Sequence, residues 1–154
     1  MMPGMIPIIA TSVPIEASSL EWIALGTTAG TNTRTISGVS VPTEVLPPNE
    51  RWILVCIRGL ATTPGSVSGT PTIEGVSAPV ISTGLTGAVL SLNTRYTWFA
   101  ANVPTGTTVD IEYTSTETFS ESYQIFSAIN LDCSAVTDSD YDAGTGSAGL
   151  SIDC

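Results

Sequence analysis

Three aspartates at alternate positions near the C-terminus, Asp138, Asp140 and Asp142, spell D-x-D-x-D. Such spacing can offer hard oxygen donors to one cation such as Ca2+. The comparison with a calcium loop fails twice, because its turn glycine falls on Ala143 and its bidentate glutamate on Gly149. The trio is kept as a Ca2+ candidate beside the plainer reading, a solvated acidic loop. No cofactor is expected. Glu112, Glu117 and Glu121 raise a second chemistry, since two carboxylates flanking a cleft can hydrolyse a glycoside. The reading adopted for them is solubilising charge at a strand end. Six aromatic residues, Trp22, Trp52, Trp98, Tyr96, Phe99 and Tyr123, could stack on sugar rings. Trp98 and Tyr96 share a strand face and form the best such pair, although aromatic residues on strands more often fill a core.

The rest of the composition removes chemistry. The 154 residues include no lysine and no histidine, and the positive charge is Arg34, Arg51, Arg58 and Arg95 alone. Without His or Lys, the abundant Ser and Thr hydroxyls have no ordinary activating base, so no enzyme is expected. A net charge of −10 argues against nucleic acid and against an anionic membrane surface as partners. Hydrophobic residues make up 42% and charged residues 12%, against about 25% charged in an average soluble domain. Much of the surface must therefore be hydroxyl, amide or apolar, and part of it is expected to be covered in a homo-oligomer or larger assembly. Arg34 and Arg95 are scarce cations and candidate contacts between subunits. Cys56 lies in an apolar run and reads as a core residue. Cys133 and Cys154 read as free thiols, with pairing under oxidising conditions left open.

The elements that must position these residues are β-strands. No stretch holds a helical period, and short β-rich runs alternate with turn clusters. Strands are predicted over Leu20–Leu25, Arg34–Val39, Arg51–Gly59, Pro71–Glu74, Pro79–Thr83, Ala88–Leu92, Arg95–Ala101, Thr107–Thr114, Ser122–Ile129 and Gly149–Ile152. Turns are placed between them, including one over Gly84 to Gly87. RWILVCIRG (Arg51–Gly59) is apolar on both faces and should be a central strand covered on both sides. TTVDIEYT (Thr107–Thr114) alternates, with Val109, Ile111 and Tyr113 toward a core. The expected fold is all-β: an antiparallel β-sandwich, jelly-roll-like, with an extended N-terminal arm.

That arm comprises residues 1–19. Its first fifteen residues carry no charge, and Pro3, Pro7 and Pro14 forbid a regular helix. Met5, Ile6, Ile8 and Ile9 are its candidate interface residues, laid on a neighbouring subunit. Residues 20–131 form the sandwich, and 132–154 an acidic, Gly-rich segment ending in a last short strand. The N-terminal stretch lacks the basic region of a secretory signal, and no apolar run reaches the about 18–20 residues that span a bilayer. Synthesis in a cytoplasm without a signal peptide is expected.

Three segments carry a likeness to known proteins: RWILVCIRG (Arg51–Gly59), TPTIEGVSAPVI (Thr70–Ile81) and WFAANVPTGTTVDIEYT (Trp98–Thr114). They resemble, in turn, the long buried strand, the Val/Ile-x-Gly-Val hairpin, and the aromatic strand with its V-P-x-G-T-T turn of a family of β-sandwich domains in structural proteins of tailed bacteriophages. The likeness covers about half the chain and brings no catalytic motif. It departs from the family at the C-terminal side, where further strands often follow. It implies a virion component: a capsid decoration (cement) protein, a head fibre or a tail-associated protein. The acidic, lysine-free composition argues against the DNA-filled interior and for the particle exterior. The reading adopted is a decoration protein whose partners are the major capsid protein or other virion proteins. The alternative is a tail or head-fibre module that recognises host surface glycans.

Overall fold

The computed structural model describes residues 17–29, 32–42, 45–47, 49–89, 92–117, 120–134, 139–141 and 150–152. Its strands are β1 (Ser19–Thr28), β2 (Asn32–Ser40), β3 (Arg51–Ala61), β4 (Val67–Ile73), β5 (Val76–Ser77), β6 (Val80–Val89), β7 (Leu92–Asn102), β8 (Thr108–Ser115), β9 (Glu121–Ile129), β10 (Ser139–Tyr141) and β11 (Leu150–Ile152). One sheet has the order β1-β9-β3-β7-β6 and a second the order β2-β8-β4-β5, with β10 and β11 paired separately. All the pairings are antiparallel. Within the two main sheets, with β6 set aside, the pairs β1–β9, β2–β8, β3–β7 and β4–β5 join the first strand to the last, the second to the next-to-last, and so inward. That is a long antiparallel ribbon rolled into two sheets, a jelly roll. β6 is an addition that pairs with β7 and extends the five-stranded sheet by one edge strand.

The sandwich and its jelly-roll order are as the strand pattern led one to expect. β3 lies at the centre of its sheet, and its residues from Ile53 to Ile57 are all buried. β8 alternates as predicted, with Val109, Ile111 and Tyr113 buried and Thr108, Asp110 and Glu112 exposed. The inner core joins Ile53, Val55, Ile57, Phe99 and Ile125 from one sheet to Ile36, Ile73, Val109 and Ile111 from the other. The β4–β5 turn is Glu74-Gly75, with φ of 51° and 72°. Two consecutive positive values match the right-handed twist of a tight hairpin. The turn is tied to β8, because the Asp110 N–H donates to Glu74 Oε2 at 2.9 Å.

Two expectations need correction. The predicted strand Pro79–Thr83 and the first part of the predicted Ala88–Leu92 belong to one strand, β6, while Leu92 begins β7, and the turn placed at Gly84–Gly87 lies inside β6. Gly84 stands opposite Tyr96, and a Cβ there would meet the Tyr96 ring at 2.2 Å. The glycine thus makes room for an aromatic ring that covers the strand, a device of sheet edges rather than a turn. Gly26 in β1, the opposite edge, has the same relation to Tyr123. Next, β4 begins at Val67 rather than Pro71. The left-handed Gly69 (φ 69°) sits where the register with β8 shifts, and this irregularity accommodates Pro71 within a strand. Residues 1–16, which hold almost all of the expected arm, lie outside the described residues.

Candidate functional site

At the end of the sandwich where β1 leads toward β2, a polar network closes the core. Arg34 on β2 and Glu121 at the start of β9 form an ion pair of 3.1 Å, with side chains only 1% and 2% exposed. The Arg34 guanidinium also donates to the Thr28 carbonyl at 3.2 Å and to the Glu117 carbonyl at 2.5 Å. Glu121 accepts from the Ser115 hydroxyl at 2.8 Å and from the Tyr113 hydroxyl at 3.2 Å. Glu117 is buried too, and its Oε2 accepts the Gly65 N–H at 2.8 Å. Gly59 makes the space: a Cβ there would lie 3.3 Å from Glu117 Oε2 and 3.7 Å from Glu121 Oε1. The two carboxylates are therefore neighbours inside the fold, not solubilising charges at a strand end. Glu112 alone of the three is exposed. The network faces the core and ties β1, β2, β8, β9 and two loops together. It offers no open carboxylate pair to a substrate.

Arg51, at the opposite end, is fully buried and donates to the carbonyls of Val103 and Thr105 at 2.8 Å and of Gly106 at 3.0 Å. It clamps the β7–β8 loop. Arg34 thus differs from what its scarcity suggested, since its charge is spent within its own sandwich. Arg95 is half-buried, and its guanidinium makes no ion pair among the described residues. Arg58 is exposed.

The outer face of the five-stranded sheet has a different character. Leu54, Cys56, Trp98, Ala100 and Ala128 form a second buried cluster there, with Trp52, Tyr96 and Phe126 packed against it. Leu131 and Cys133, just past β9, fold onto the same cluster. Trp98 is 1% exposed and its ring centroid lies 5.9 Å from that of Phe126. The apolar surface continues outward along β1. Leu20 and Trp22 stand opposite Ala128 and Phe126. A bulge after Trp22 then lets the consecutive Ile23 and Ala24 both pack on the inner core, and Leu25 returns to the outer side opposite Gln124. Leu20, Trp22 and Leu25 are 45%, 58% and 59% exposed, and Leu60 on β3 is exposed on the same face. This face, an apolar core that runs into uncovered Leu and Trp, is the candidate functional surface. The sugar-stacking pair is split by it: Trp98 is buried, Tyr96 half-buried, and Trp22 is the accessible tryptophan.

Of the remaining candidates, Met5, Ile6, Ile8 and Ile9 lie outside the described residues, as do Asp138, Asp142 and Cys154. Asp140 belongs to β10 and pairs with Ser151. Cys56 is a buried free thiol, and Cys133 is buried.

Two buried acids set an alkaline limit on the fold. Burial pushes the Cys56 thiol up from 9.0 to about 12, against the opposing attraction of the Arg58 charge. Burial likewise raises the Tyr113 hydroxyl from 10.0 to about 12, with its hydrogen bond to Thr28 pulling the other way. Both groups hold their protons longer in the folded chain than in the unfolded one. Below pH 9 both states are protonated and no stability is lost; between pH 9 and 12 the unfolded chain ionises first and gains population. The urea midpoint is expected to fall through that window, and Cys56→Ala is expected to remove the earlier part of the fall. The native Cys56 is also expected to resist thiol reagents at pH 8 until the chain is unfolded. Rapid native labelling at Cys56 would contradict its burial.

No family model matches the chain, and neither a curated protein nor a solved structure is similar to it. The fold and surface define a class by themselves: a jelly roll with an added edge strand, a closed polar network at one end, and one apolar outer face.

Proposed function

We propose that this protein is a structural component on the exterior of a tailed-phage particle, a capsid decoration protein that braces the major capsid lattice. The observation that carries this reading is the outer face of the five-stranded sheet, where Leu20, Trp22, Leu25 and Leu60 are exposed beside a buried apolar cluster. An apolar patch with this setting is suited to a protein neighbour. Jelly rolls recur in capsid and lectin domains, so the fold is compatible with the role without assigning it. The charge agrees with an outward position. Two arginines and two glutamates are buried, so the surface keeps the full net charge of −10 and is ill-suited to packaged DNA. The mechanism is passive: burial at ~25 cal/mol per Å2 and attachment of many copies stabilise the particle.

The test is incorporation into capsids assembled from the major capsid protein of the same genome. The full chain is expected to co-sediment with them and to raise their disruption temperature. Deleting Met1 to Val13 is expected to abolish incorporation while circular dichroism and the urea midpoint remain those of the folded domain. Normal incorporation of the truncated chain would remove the arm from the mechanism, and failure of the full chain to bind would remove the decoration role. Glycan recognition by a tail or fibre module is a second reading, favoured by the exposed Trp22 ring. It requires sugar-dependent quenching of Trp22 fluorescence.

A further inference from the structure

Among the described residues the two main sheets end in four edges, β1, β6, β2 and β5, and they are unequally protected. β5 is two residues long. β2 is bulged near Gly38, whose N–H donates to Asp110 Oδ1 at 2.7 Å, and it carries the buried Arg34. β1 carries Glu21 and a bulge where Trp22 Nε1 donates to the Ala24 carbonyl. β6 is ten residues long and has no charged side chain. Its pairing with β7 is regular from Ser82 to Thr86 and shifts register on either side. Val80 and Leu85 on it are 40% and 58% exposed. An edge this long and uncharged is a ready template for another strand.

The chain itself contains a segment of matching kind. Residues 8–13, Ile-Ile-Ala-Thr-Ser-Val, are free of charge, rich in β-branched residues and bounded by Pro7 and Pro14. The run of six matches the five regular residues of β6. The flanking prolines lack an N–H, so they limit a strand to that length and keep it from extending into a fibre. In a chain of net charge −10, both partners are free of carboxylates, and repulsion between copies does not act at this junction.

We propose that β6 accepts Ile8–Val13 of a second copy of this chain as an added edge strand. The proposal rests on the arm reading made above, and it names the surface on which the arm lies. Neighbouring copies are then linked by backbone hydrogen bonds along Ser82–Thr86, with Leu85 covered.

Hydrogen–deuterium exchange of the full-length protein across a concentration series tests this. Exchange at Ser82–Thr86 is expected to slow about tenfold or more as the chain associates, with β3 unchanged as the internal reference. Leu85→Lys on the acceptor and Ile9→Lys on the donor are each expected to remove that protection and return the protein to monomers in light scattering. Mixing the two variants is expected to restore association, because each keeps the half that the other lacks. Protection that appears along β1 instead, that survives in both variants, or that never appears would overturn the proposal. The capsid experiment separates the two readings. If β6 shows no response while deletion of Met1 to Val13 still abolishes incorporation, the arm binds the particle elsewhere and only the strand acceptor falls. If incorporation also survives the deletion, the arm reading falls with it.

Discussion

Replacing Arg34 by methionine is expected to lower the free energy of unfolding by about 3–5 kcal/mol, the scale for removing one partner of a buried ion pair. Against a typical total of about 5–15 kcal/mol, that is a large share of the stability. The loss does not equal the worth of the ion pair. Removing Arg34 strands the Glu121 carboxylate, 2% exposed, between the Tyr113 and Ser115 hydroxyls. It also takes the guanidinium from the carbonyls of Thr28 and Glu117. Glu121→Gln combined with Arg34→Met leaves no buried charge at that position and keeps an acceptor for the Ser115 hydroxyl. The double variant is therefore expected to recover more than half of the loss. Urea midpoints at unchanged m-value measure the four corners of this cycle. A single Arg34→Met variant as stable as the parent would mean that the ion pair is not buried in solution.

The reason this network was hard to read in the sequence is specific. Along Ser122–Ile129, Tyr123, Ile125 and Ser127 share one face, and the same parity carried back two residues from Tyr123 reaches Glu121. In β2 the parity of Ile36 reaches Arg34 in the same way. Each residue could thus be placed on an inward face from its own strand. What a single strand does not contain is the apposition of β2 and β9, which belong to different sheets and meet only across the core. Gly59 gave no local signal either, since its role is to leave room for carboxylates more than fifty residues away. Patterns confined to one strand were legible: the alternation of β8, and the two apolar faces of β3. The outer face was legible as composition, because 12% charge leaves apolar area to be covered, but not as a location. The bulge after Trp22 changes which residues of β1 face outward, and β6 reads as two strands until Tyr96 is seen over Gly84.

Trp98→Ala is expected to cost about 3–5 kcal/mol, while Trp22→Ala stays within about 0.5 kcal/mol. The two tryptophans lie on the same face of the same sheet, so the contrast measures where the second core ends. Trp98 is 1% exposed among Leu54, Cys56, Ala100, Ala128 and Cys133, and its removal opens a cavity that the rigid sheet beneath cannot close. Its indole N–H is buried without a hydrogen-bond partner among the described residues. Phenylalanine retains the ring and removes that desolvated donor, worth ~1–3 kcal/mol, which offsets part of the lost volume. Trp98→Phe is therefore expected to be far milder than Trp98→Ala. Trp22 is 58% exposed and rests on little. Trp22→Phe is expected to remove most of the fluorescence that acrylamide can quench in the free protein, and capsid binding is expected to shield the same signal. If Trp98→Ala left the urea midpoint unchanged, the outer face would lack a second core, and the exposed residues of β1 would be isolated side chains rather than the margin of a docking surface.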